Sequence, residues 1–385
     1  MSIYSQNITT EIVRASYHNN SRTIFKMPPK VCLSNIRILN VGASVDAVAV
    51  GNNCKYPITS GAKCLVQSIA LLGEDNQEIC VLRNAHQFCG FENALHPNDE
   101  EADLIAPMVK ASLGFKQNTD HKIGFTENQD LTADVNTTPK GMFYLADMLK
   151  YLADVVQVPC DLAPMRVVIE WSDDLKNFAI NPATPVASFQ IAEPQLVVDV
   201  IESAKSPADY QVSYYSMEQD RAVVQATASG LETNFKLSGF NGKFVNRMLM
   251  LNDTRTARQY TGMDKSTPMV GEALKIKVNG GELPPITEAL KQKVCADAWG
   301  QNNFPVGDNL SGMKSNDIYQ ATQLPQKSFG YGGVQLATRV NELQMNFTRA
   351  VAGNAEQDDA FDFRCYAEVL KSMRIKNGNL VIGYN

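Results

Sequence analysis

Apolar residues alternate with small or polar residues along much of this chain, and a period of two is typical of half-buried β-strands. The alternation is clearest in residues 31–42, and further strands are predicted at residues 165–171, which are rich in β-branched residues, and at residues 189–202 and 361–375. Segments rich in Gly, Asn, Asp and Pro separate these runs, as expected for turns. The pattern predicts a protein built mainly from strands.

Two pairs of strands are predicted to form hairpins. Residues 64–72 and 77–82 are apolar runs on either side of the turn-forming sequence Gly-Glu-Asp-Asn. At the end of the chain, residues 361–375 and 379–384 flank Asn377-Gly378. Asn-Gly favours tight turns whose twist suits paired antiparallel strands.

Helical spacing of apolar residues is restricted to a few places. It predicts helices at residues 84–95, 142–154 and 286–299 and a short helix at residues 9–16. A parallel α/β sheet would instead need helices of 10 to 15 residues alternating with the strands. We therefore expect an all-β fold with a few helices in its loops.

The order of hairpin and helix at residues 64–95 recurs at residues 273–299, which suggests a duplicated architecture. Residues 204–209 (AKSPAD) are the best linker between two apolar regions. Residues 1–28 are polar and weakly patterned, so we expect an N-terminal arm there. The predicted domains are residues 29–205 and 206–385, each a β-sandwich.

Composition and charge narrow the class of protein. The 385 residues are 44% hydrophobic and 20% charged, as in globular proteins. With 35 basic and 41 acidic side chains and no basic arm, direct nucleic-acid binding is not expected. The first residues do not have the layout of a secretory signal, and no apolar run approaches the ~20 residues of a membrane span. We expect synthesis in a cytosol-like compartment.

The cysteines are expected to be reduced and buried. They show no CxxC pair and lie mostly in apolar surroundings, where cysteine behaves as a small hydrophobic residue. They are Cys32, Cys54, Cys64, Cys80, Cys89, Cys160, Cys295 and Cys365.

Known catalytic and cofactor motifs are absent from the sequence. It has no phosphate-binding loop, no GxSxG nucleophile elbow, and no metal-type spacing among His18, His86, His96 and His121. The loop from Asp308 to Asp317 has oxygen ligands for calcium but lacks the spacing of an EF-hand. We therefore predict no catalytic, cofactor-binding or metal-binding residues and no enzyme activity.

Two groups of residues leave two alternative functions open, a glycosidase and a carbohydrate-binding protein. A glycosidase would need two converging carboxyl groups, and a carbohydrate-binding protein would use exposed aromatic rings. The candidate carboxylates are Asp99, Glu100, Glu101, Asp103, Asp173, Asp174, Asp358 and Asp359, and the candidate sugar-stacking residues are Trp171 and Trp299. The aromatic pair Tyr214-Tyr215 is a candidate contact with a partner. Solvated turns explain the carboxylates more simply, and core or strand packing explains the aromatic residues.

The order of these landmarks resembles one family, the double jelly-roll major capsid proteins of icosahedral viruses, a lineage that includes tailless membrane-containing phages and virophages. The resemblance is carried by residues 64–95, 141–180 and 195–215 and by the terminal strands FRCYAEVLKSMRIKNGNLVIGY. The resemblance extends over residues 30–385 and lies in the order of strands, turns and helices. No single motif in it is diagnostic.

The resemblance implies two tandem eight-stranded jelly rolls standing upright on a shell, in a virion. Three chains would form a pseudo-hexagonal capsomer through interfaces that close on themselves. Penton proteins, minor capsid proteins and an internal membrane are further implied partners, the last through the N-terminal arm. Arg14, Arg22, Lys26 and Lys30 are the expected arm contacts, and the outer loops are expected at residues 98–138 and 300–333.

Overall fold

The structure is a computed structural model of the chain. It describes residues 7–47, 54, 61–86, 88–89, 131–138, 140–172, 188–224, 232–254, 274–278, 281–282, 319–323, 327–328, 331–332, 334–335, 343–348 and 361–384.

The first half of the chain forms strands that end before residue 202. They are β1 (Ile8–Arg14), β2 (Tyr17–His18), β3 (Arg22–Lys26), β4 (Val31–Leu33), β5 (Arg37–Val41), β6 (Ala43–Val45), β7 (Val66–Gly73), β8 (Glu78–Arg83), β9 (Gly141–Tyr144), β10 (Gln157–Pro159), β11 (Met165–Trp171), β12 (Phe189–Ile191) and β13 (Gln195–Ile201). The helices whose bounds the structure describes in this half are α1 (Lys150–Asp154) and the 3₁₀ helices Gly61–Leu65 and Leu145–Asp147.

Two antiparallel sheets enclose the core of this half. One has the order β10-β4-β13-β5-β9, with β1 on the free side of β13, and the other has the order β2-β3-β11-β7-β8. β6 and β12 form a separate pair. Core residues come from both large sheets, for example Phe25 of β3, Ile38 of β5, Ile69 of β7 and Val198 of β13. The predicted hairpin of β7 and β8 and the predicted strand β11 are confirmed.

The second half of the chain also consists of antiparallel strands. They are β14 (Asp209–Val224), β15 (Glu232–Lys236), β16 (Phe244–Thr254), β17 (Leu274–Val278), β18 (Gly281–Glu282), β19 (Tyr319–Gln323), β20 (Lys327–Ser328), β21 (Tyr331–Gly332), β22 (Val334–Gln335), β23 (Leu343–Thr348), β24 (Phe361–Lys376) and β25 (Asn379–Tyr384). One sheet has the order β14-β24-β16-β19, with β22 on β16 and β25 on β24, and the other has the order β15-β23-β17-β18.

Two strands of 16 residues, β14 and β24, are paired along their whole length. The predicted terminal hairpin then returns as β25, which pairs with the last part of β24. Its turn residues Asn377 and Gly378 have φ values of 53° and 79°. Positive φ at both positions is the geometry of the tight turn for which Asn-Gly is selected.

The prediction that residues 1–28 form an arm outside the core is wrong for residues 8–26. β1 pairs with β13 along all seven of its residues, where a helix at residues 9–16 was predicted, and β3 pairs with β11. Phe25 is fully buried. β1 was missed because it is an edge strand with both faces partly exposed, which gives it a polar sequence.

Buried and half-buried polar contacts hold β1 in place. Asp199 accepts hydrogen bonds from Thr10 at 2.6 Å and Asn35 at 2.6 Å and pairs with Arg37 at 3.2 Å. Burial opposes ionisation of Asp199, but these three partners hold its carboxyl pKa below the usual value. On the other side of the strand, Lys30 bridges Glu11 and Glu202. The N-terminal segment is thus part of the sandwich.

The helix predicted at residues 142–154 is also partly wrong. Residues 141–144 form β9, which pairs with β5, and helical turns occupy only Leu145–Asp147 and Lys150–Asp154. Of the apolar residues at helical spacing, Leu145, Met148, Leu149 and Leu152 are buried, and Met142 is half-buried in β9 at the edge of a sheet. Tertiary pairing has overridden local periodicity here.

Two segments predicted as single strands are divided. Residues 189–202 form β12 and β13, which lie in different sheets and are separated by a stretch that contains Pro194. Proline lacks the N–H that a sheet ladder needs, so the chain leaves one sheet there and enters another. Residues 31–42 form β4 and β5, both of which pair with β13.

Seven of the eight cysteines lie in the described part of the chain, and all seven are buried, as predicted. Trp171 is buried in the core, and its Nε1 donates to Thr23 Oγ1 at 2.8 Å. Of the helix predicted at residues 84–95, residues 85, 86, 88 and 89 are helical and residues 90–95 are outside the described residues. The helix predicted at residues 286–299 is also outside them.

Candidate functional site

The two halves of the chain meet along one face of the sheet that contains β14, β24 and β25. Directly paired residues on neighbouring strands project to the same side. The pairings place three cross-strand rows on this junction face, namely Tyr214-Lys371-Tyr384, Val212-Met373-Ile382 and Tyr210-Ile375-Leu380. The apolar members of these rows, apart from Tyr384, pack against the core of the first half. The two sandwiches therefore share one continuous hydrophobic core.

Tyr214 is the central side chain of this junction. It is fully buried, and its hydroxyl donates to the backbone oxygen of Ile79 at 2.6 Å. Its ring packs edge-on against Tyr151 of α1, with ring centroids 4.8 Å apart. The adjacent backbone N–H of Tyr215 donates to Asp154 Oδ2 at 2.6 Å. The pair Tyr214-Tyr215, considered above as a partner contact, thus contacts the first half of the same chain.

A second set of contacts lies where β8 ends. Asn84 Nδ2 donates to Gln219 Oε1 at 2.7 Å, and the Tyr366 hydroxyl donates to the backbone oxygen of Asn84 at 3.2 Å. The Tyr366 ring also packs on Phe88, with centroids 5.3 Å apart. Asn84 has φ of 49°, a left-handed conformation that asparagine tolerates. The junction therefore combines apolar packing with directional hydrogen bonds, which fix the orientation of the two halves.

Close packing at the β7–β8 turn further fixes the orientation of the two halves. A Cβ atom on Gly73 would collide with the side chain of Leu380 from the second half. Glycine at this position lets β25 approach the backbone of the turn.

A buried ionic cluster lies at one end of the junction face. Glu218 Oε1 is 2.8 Å from Lys371 Nζ, and Glu218 Oε2 is 2.6 Å from Lys243 Nζ. The Tyr384 hydroxyl donates to Glu218 Oε1 at 3.0 Å. Both ammonium groups also lie near the Tyr384 ring, at 4.6 Å for Lys243 and 5.1 Å for Lys371 from its centroid. The side chains of Lys371 and Glu218 are only 2% and 11% exposed.

Burial and charge act in opposite directions on this cluster. Burial disfavours the charged form of Glu218, but Lys371 and Lys243 outweigh it and hold the Glu218 pKa below the usual value. Burial likewise disfavours the charged form of Lys371, but Glu218 raises its pKa overall. The pair is therefore ionised at neutral pH, and each partner needs the other.

We expect the protein to lose stability in acid as Glu218 is protonated. Because its pKa is lowered in the folded state, its contribution is complete above the unfolded pKa of about 4.3 and is lost as the pH falls through the lower folded value. Unfolding midpoints measured from neutral pH down to about pH 3 should fall most steeply below about pH 4.3. The acid-dependent loss should be smaller in Glu218→Gln, and an equal loss in both proteins would contradict this assignment.

The carboxylates considered for a glycosidase are outside the described residues, as are Trp299, His96, His121, Cys295 and the loop from Asp308 to Asp317. Of the predicted outer loops, residues 131–138 and a few short strands are described. His86 is buried and hydrogen-bonds to the backbone oxygen of Val66, and His18 bonds to Thr23.

The four basic residues predicted as arm contacts have different surroundings. Arg14, Arg22 and Lys26 are exposed on β1 and β3. Lys30 is half-buried and paired within the chain, with Glu11 at 2.7 Å and Glu202 at 3.0 Å. Three of the four therefore remain available to a partner.

The cluster of Glu218, Lys371 and Lys243 was not predicted from the sequence. A usable signal was present, because Lys371 occupies the same alternating positions as Met373 and Ile375 on the otherwise apolar face of β24. A lysine at an inward position needs a buried partner. The identity of the carboxylate that partners Lys371 depends on which strands pair, and the local sequence does not determine that pairing.

Among the described residues, no three or more His, Cys, Asp or Glu side chains converge as a metal site would require. Within the same residues, no helix is long and apolar enough to cross a membrane.

No protein-family model matches the chain, and no curated protein is similar to it in sequence. Solved structures do match over its whole length. The VP54 protein of PBCV-1, fitted into a reconstruction of the virophage Sputnik, aligns with a TM-score of 0.57 at 12% identity, covering 100% of this chain and 98% of that one.

Two further solved structures match in the same way. The mavirus major capsid protein has a TM-score of 0.51 and 12% identity, with 100% of this chain and 91% of that chain covered. The Faustovirus major capsid protein has a TM-score of 0.52 and 9% identity, with 98% and 93% covered. The predicted fold class is thereby confirmed, and the chain has the double jelly-roll fold of these capsid proteins.

Proposed function

We propose that this chain is a viral major capsid protein that assembles into pseudo-hexameric trimers and tiles an icosahedral shell. The observation that carries the proposal is the extent of the structural match. The chain is covered completely by the aligned PBCV-1 and mavirus proteins, and it covers 98% and 91% of them. The shared part is thus the whole capsid subunit and not one common sandwich module.

The junction between the sandwiches supports the same function. A capsomer subunit needs a fixed relative orientation of its two sandwiches. The spacing of contacts around a closed ring depends on that orientation. The shared core around Tyr214 and the buried pair of Glu218 and Lys371 provide such a rigid connection. A flexible linker alone would not.

The division into two jelly rolls at residues 205 and 206 is part of the proposal. Every sheet among the described strands draws its members from β1–β13 or from β14–β25 and never from both. The proposed first domain now includes β1–β3, because these strands pair with β13 and β11.

We propose a structural and not an enzymatic role, with no sequence-specific contact to nucleic acid, in a virion. The proposed partners are further copies of the chain, together with penton and minor capsid proteins. For an internal membrane, the available contacts are the exposed side chains of Arg14, Arg22 and Lys26. They project from strands, so an extended arm over residues 8–26 is not part of this proposal.

The purified full chain is expected to form trimers. Light scattering should give a mass about three times the 42.4 kDa of one chain, and electron microscopy should show ring-shaped capsomers with six sandwiches. The interfaces between chains should bury well over ~2,000 Å². A stable monomer that binds a glycan would contradict the proposal and would favour a carbohydrate-binding attachment protein.

A further inference from the structure

The strand β1 forms an open edge of the first jelly roll. Among the described strands, β1 has β13 on one side and no strand on the other. The backbone groups of successive residues in an antiparallel strand point alternately to either side, so about half of those in β1 point away from β13. Within the described residues, these outward N–H and C=O groups have no backbone partner. An edge of this kind is a template for a further strand.

β1 lacks the features that normally protect an open edge. Protected edges carry proline, lysine or a β-bulge, which keep other strands away. The sequence of β1, ITTEIVR, has no proline and no lysine, and its pairing with β13 continues through all seven residues without a bulge. Ile8 and Ile12 are instead 54% and 63% exposed. The edge is therefore suited to a strand that also presents apolar side chains.

The two exposed isoleucines lie on one face of the sheet. Side chains two residues apart on a strand share a face, so Ile8, Thr10 and Ile12 project together. Across the ladder, Ile8 is paired with Ile201 and Ile12 with Val197. Ile201 and Val197 are both buried. Each exposed isoleucine thus extends an apolar row that stops at the open edge.

We propose that β1 pairs with β1 of a second copy of the chain, in an antiparallel arrangement about a two-fold axis at Thr10. Ile8 of each copy then lies opposite Ile12 of the other, so both apolar rows continue across the contact, and the two Thr10 residues face each other. Cross-strand pairs of β-branched residues of this kind stabilise neighbouring strands. A two-fold contact uses the same surface on both chains, so β1 supplies both sides of it.

Charge selects the register of this pair. With the axis at Thr10, Glu11 lies opposite Thr9, and Lys30 of its own chain balances its charge at 2.7 Å. An axis at Glu11 would instead place two carboxylates directly opposite each other and Ile8 opposite Arg14. Like charges directly opposite are destabilising. The register that avoids them is also the one that pairs the isoleucines.

The choice of a second copy as the partner rests on the proposed function. Two strands of seven residues form a contact that falls short of the about 800 Å² per partner of a stable interface. So small a contact becomes effective where many copies are held side by side, because the contacts then reinforce each other. An icosahedral shell has two-fold axes between neighbouring capsomers. The β1 pair therefore links capsomers, whereas the contacts of the threefold ring form each one.

The test is disulfide trapping of the full chain with Thr10→Cys, at a high chain concentration and with oxidised glutathione as the two-electron oxidant. Residues directly opposite each other have Cα atoms about 4.5–5.5 Å apart, within the range of a disulfide. The two copies of position 12 would be about 14 Å apart. On non-reducing gels, Thr10→Cys should therefore give about tenfold more covalent dimer than Ile12→Cys, because thiols held together have a high effective concentration.

The controls separate this contact from random collisions. Because the described native cysteines are buried, the unchanged protein should give little covalent dimer. Ile12→Lys, added to Thr10→Cys, sets a lysine against Ile8 of the other copy and should reduce the dimer to the level of Ile12→Cys. Val381→Lys is the matched control, since Val381 on β25 is 62% exposed, and it should leave the cross-link intact. All the substituted positions are exposed, so these variants are expected to fold.

The outcomes distinguish this proposal from the capsid function. Equal cross-linking at positions 10 and 12, or a cross-link that survives Ile12→Lys, would overturn the β1 pairing. Trimers in light scattering without a cross-link in Thr10→Cys would refute the pairing and leave the capsid function supported. A position-specific covalent dimer from a chain that forms no trimers would support the pairing and contradict the capsid function.

Discussion

Replacing Glu218 with glutamine is expected to reduce the free energy of unfolding by about 3–5 kcal/mol. Lys371 is only 2% exposed, and in the variant it keeps its charge but loses the carboxylate that balances it. The cost of an unpaired buried charge exceeds that of a missing hydrogen bond. Chemical denaturation near neutral pH, followed by fluorescence, measures the difference.

The matched control for this prediction is Glu78→Gln. Glu78 also pairs with a cation, Arg83 at 2.7 Å, but the two side chains are 46% and 50% exposed. Exposed pairs contribute about 0–1 kcal/mol, so this variant should unfold almost like the unchanged protein. If the two substitutions had similar effects, Glu218 and Lys371 would not form a buried pair of the kind described here.

The second large effect is expected from Tyr214→Ala at the centre of the junction. Removal of a buried aromatic ring leaves a cavity and typically costs about 3–5 kcal/mol. The variant also leaves the backbone oxygen of Ile79 without its donor. Because Tyr214 is fully buried in the core that the two sandwiches share, their coupling should weaken along with their stability.

Calorimetry can separate loss of stability from loss of coupling. The unchanged protein is expected to unfold in one transition, and Tyr214→Ala should show two, because each sandwich then unfolds more independently. Tyr214→Phe, which removes only the hydroxyl bond, should cost about 0.5–1.5 kcal/mol and keep one transition. Tyr17→Ala, at an exposed position, is the control. A single unshifted transition in Tyr214→Ala would mean that the junction does not couple the sandwiches.

Local signals in the sequence were sufficient for many of the strands. The β-branched residues in 165–171 predicted β11, and the Asn377-Gly378 dipeptide predicted the terminal hairpin, in which both φ values are positive. Both features depend on a few adjacent residues, since strand propensity is a property of a short segment and the turn needs two specific residues. The all-β fold class followed from the same kind of local information.

Other elements depend on partners that are distant in the chain. β1 has a polar sequence because it lies at a sheet edge, and it is held by β13 through contacts such as Thr10 with Asp199, which are 189 residues apart. The residues of β9 have an apolar spacing that suits a helix, yet they pair with β5. Propensity is a weak guide where a sheet edge is available for pairing.

The sequence by itself determined that this protein would be strand-rich, with buried cysteines and a tight terminal hairpin. Those properties follow from short-range alternation and from turn chemistry. Only the tertiary structure decided that Lys371 faces inward, that Glu218 neutralises it, and that one core serves both sandwiches. Those relations arise from the register of β14, β24 and β25 and from their packing on β8, which bring together residues whose local sequences carry no information about each other.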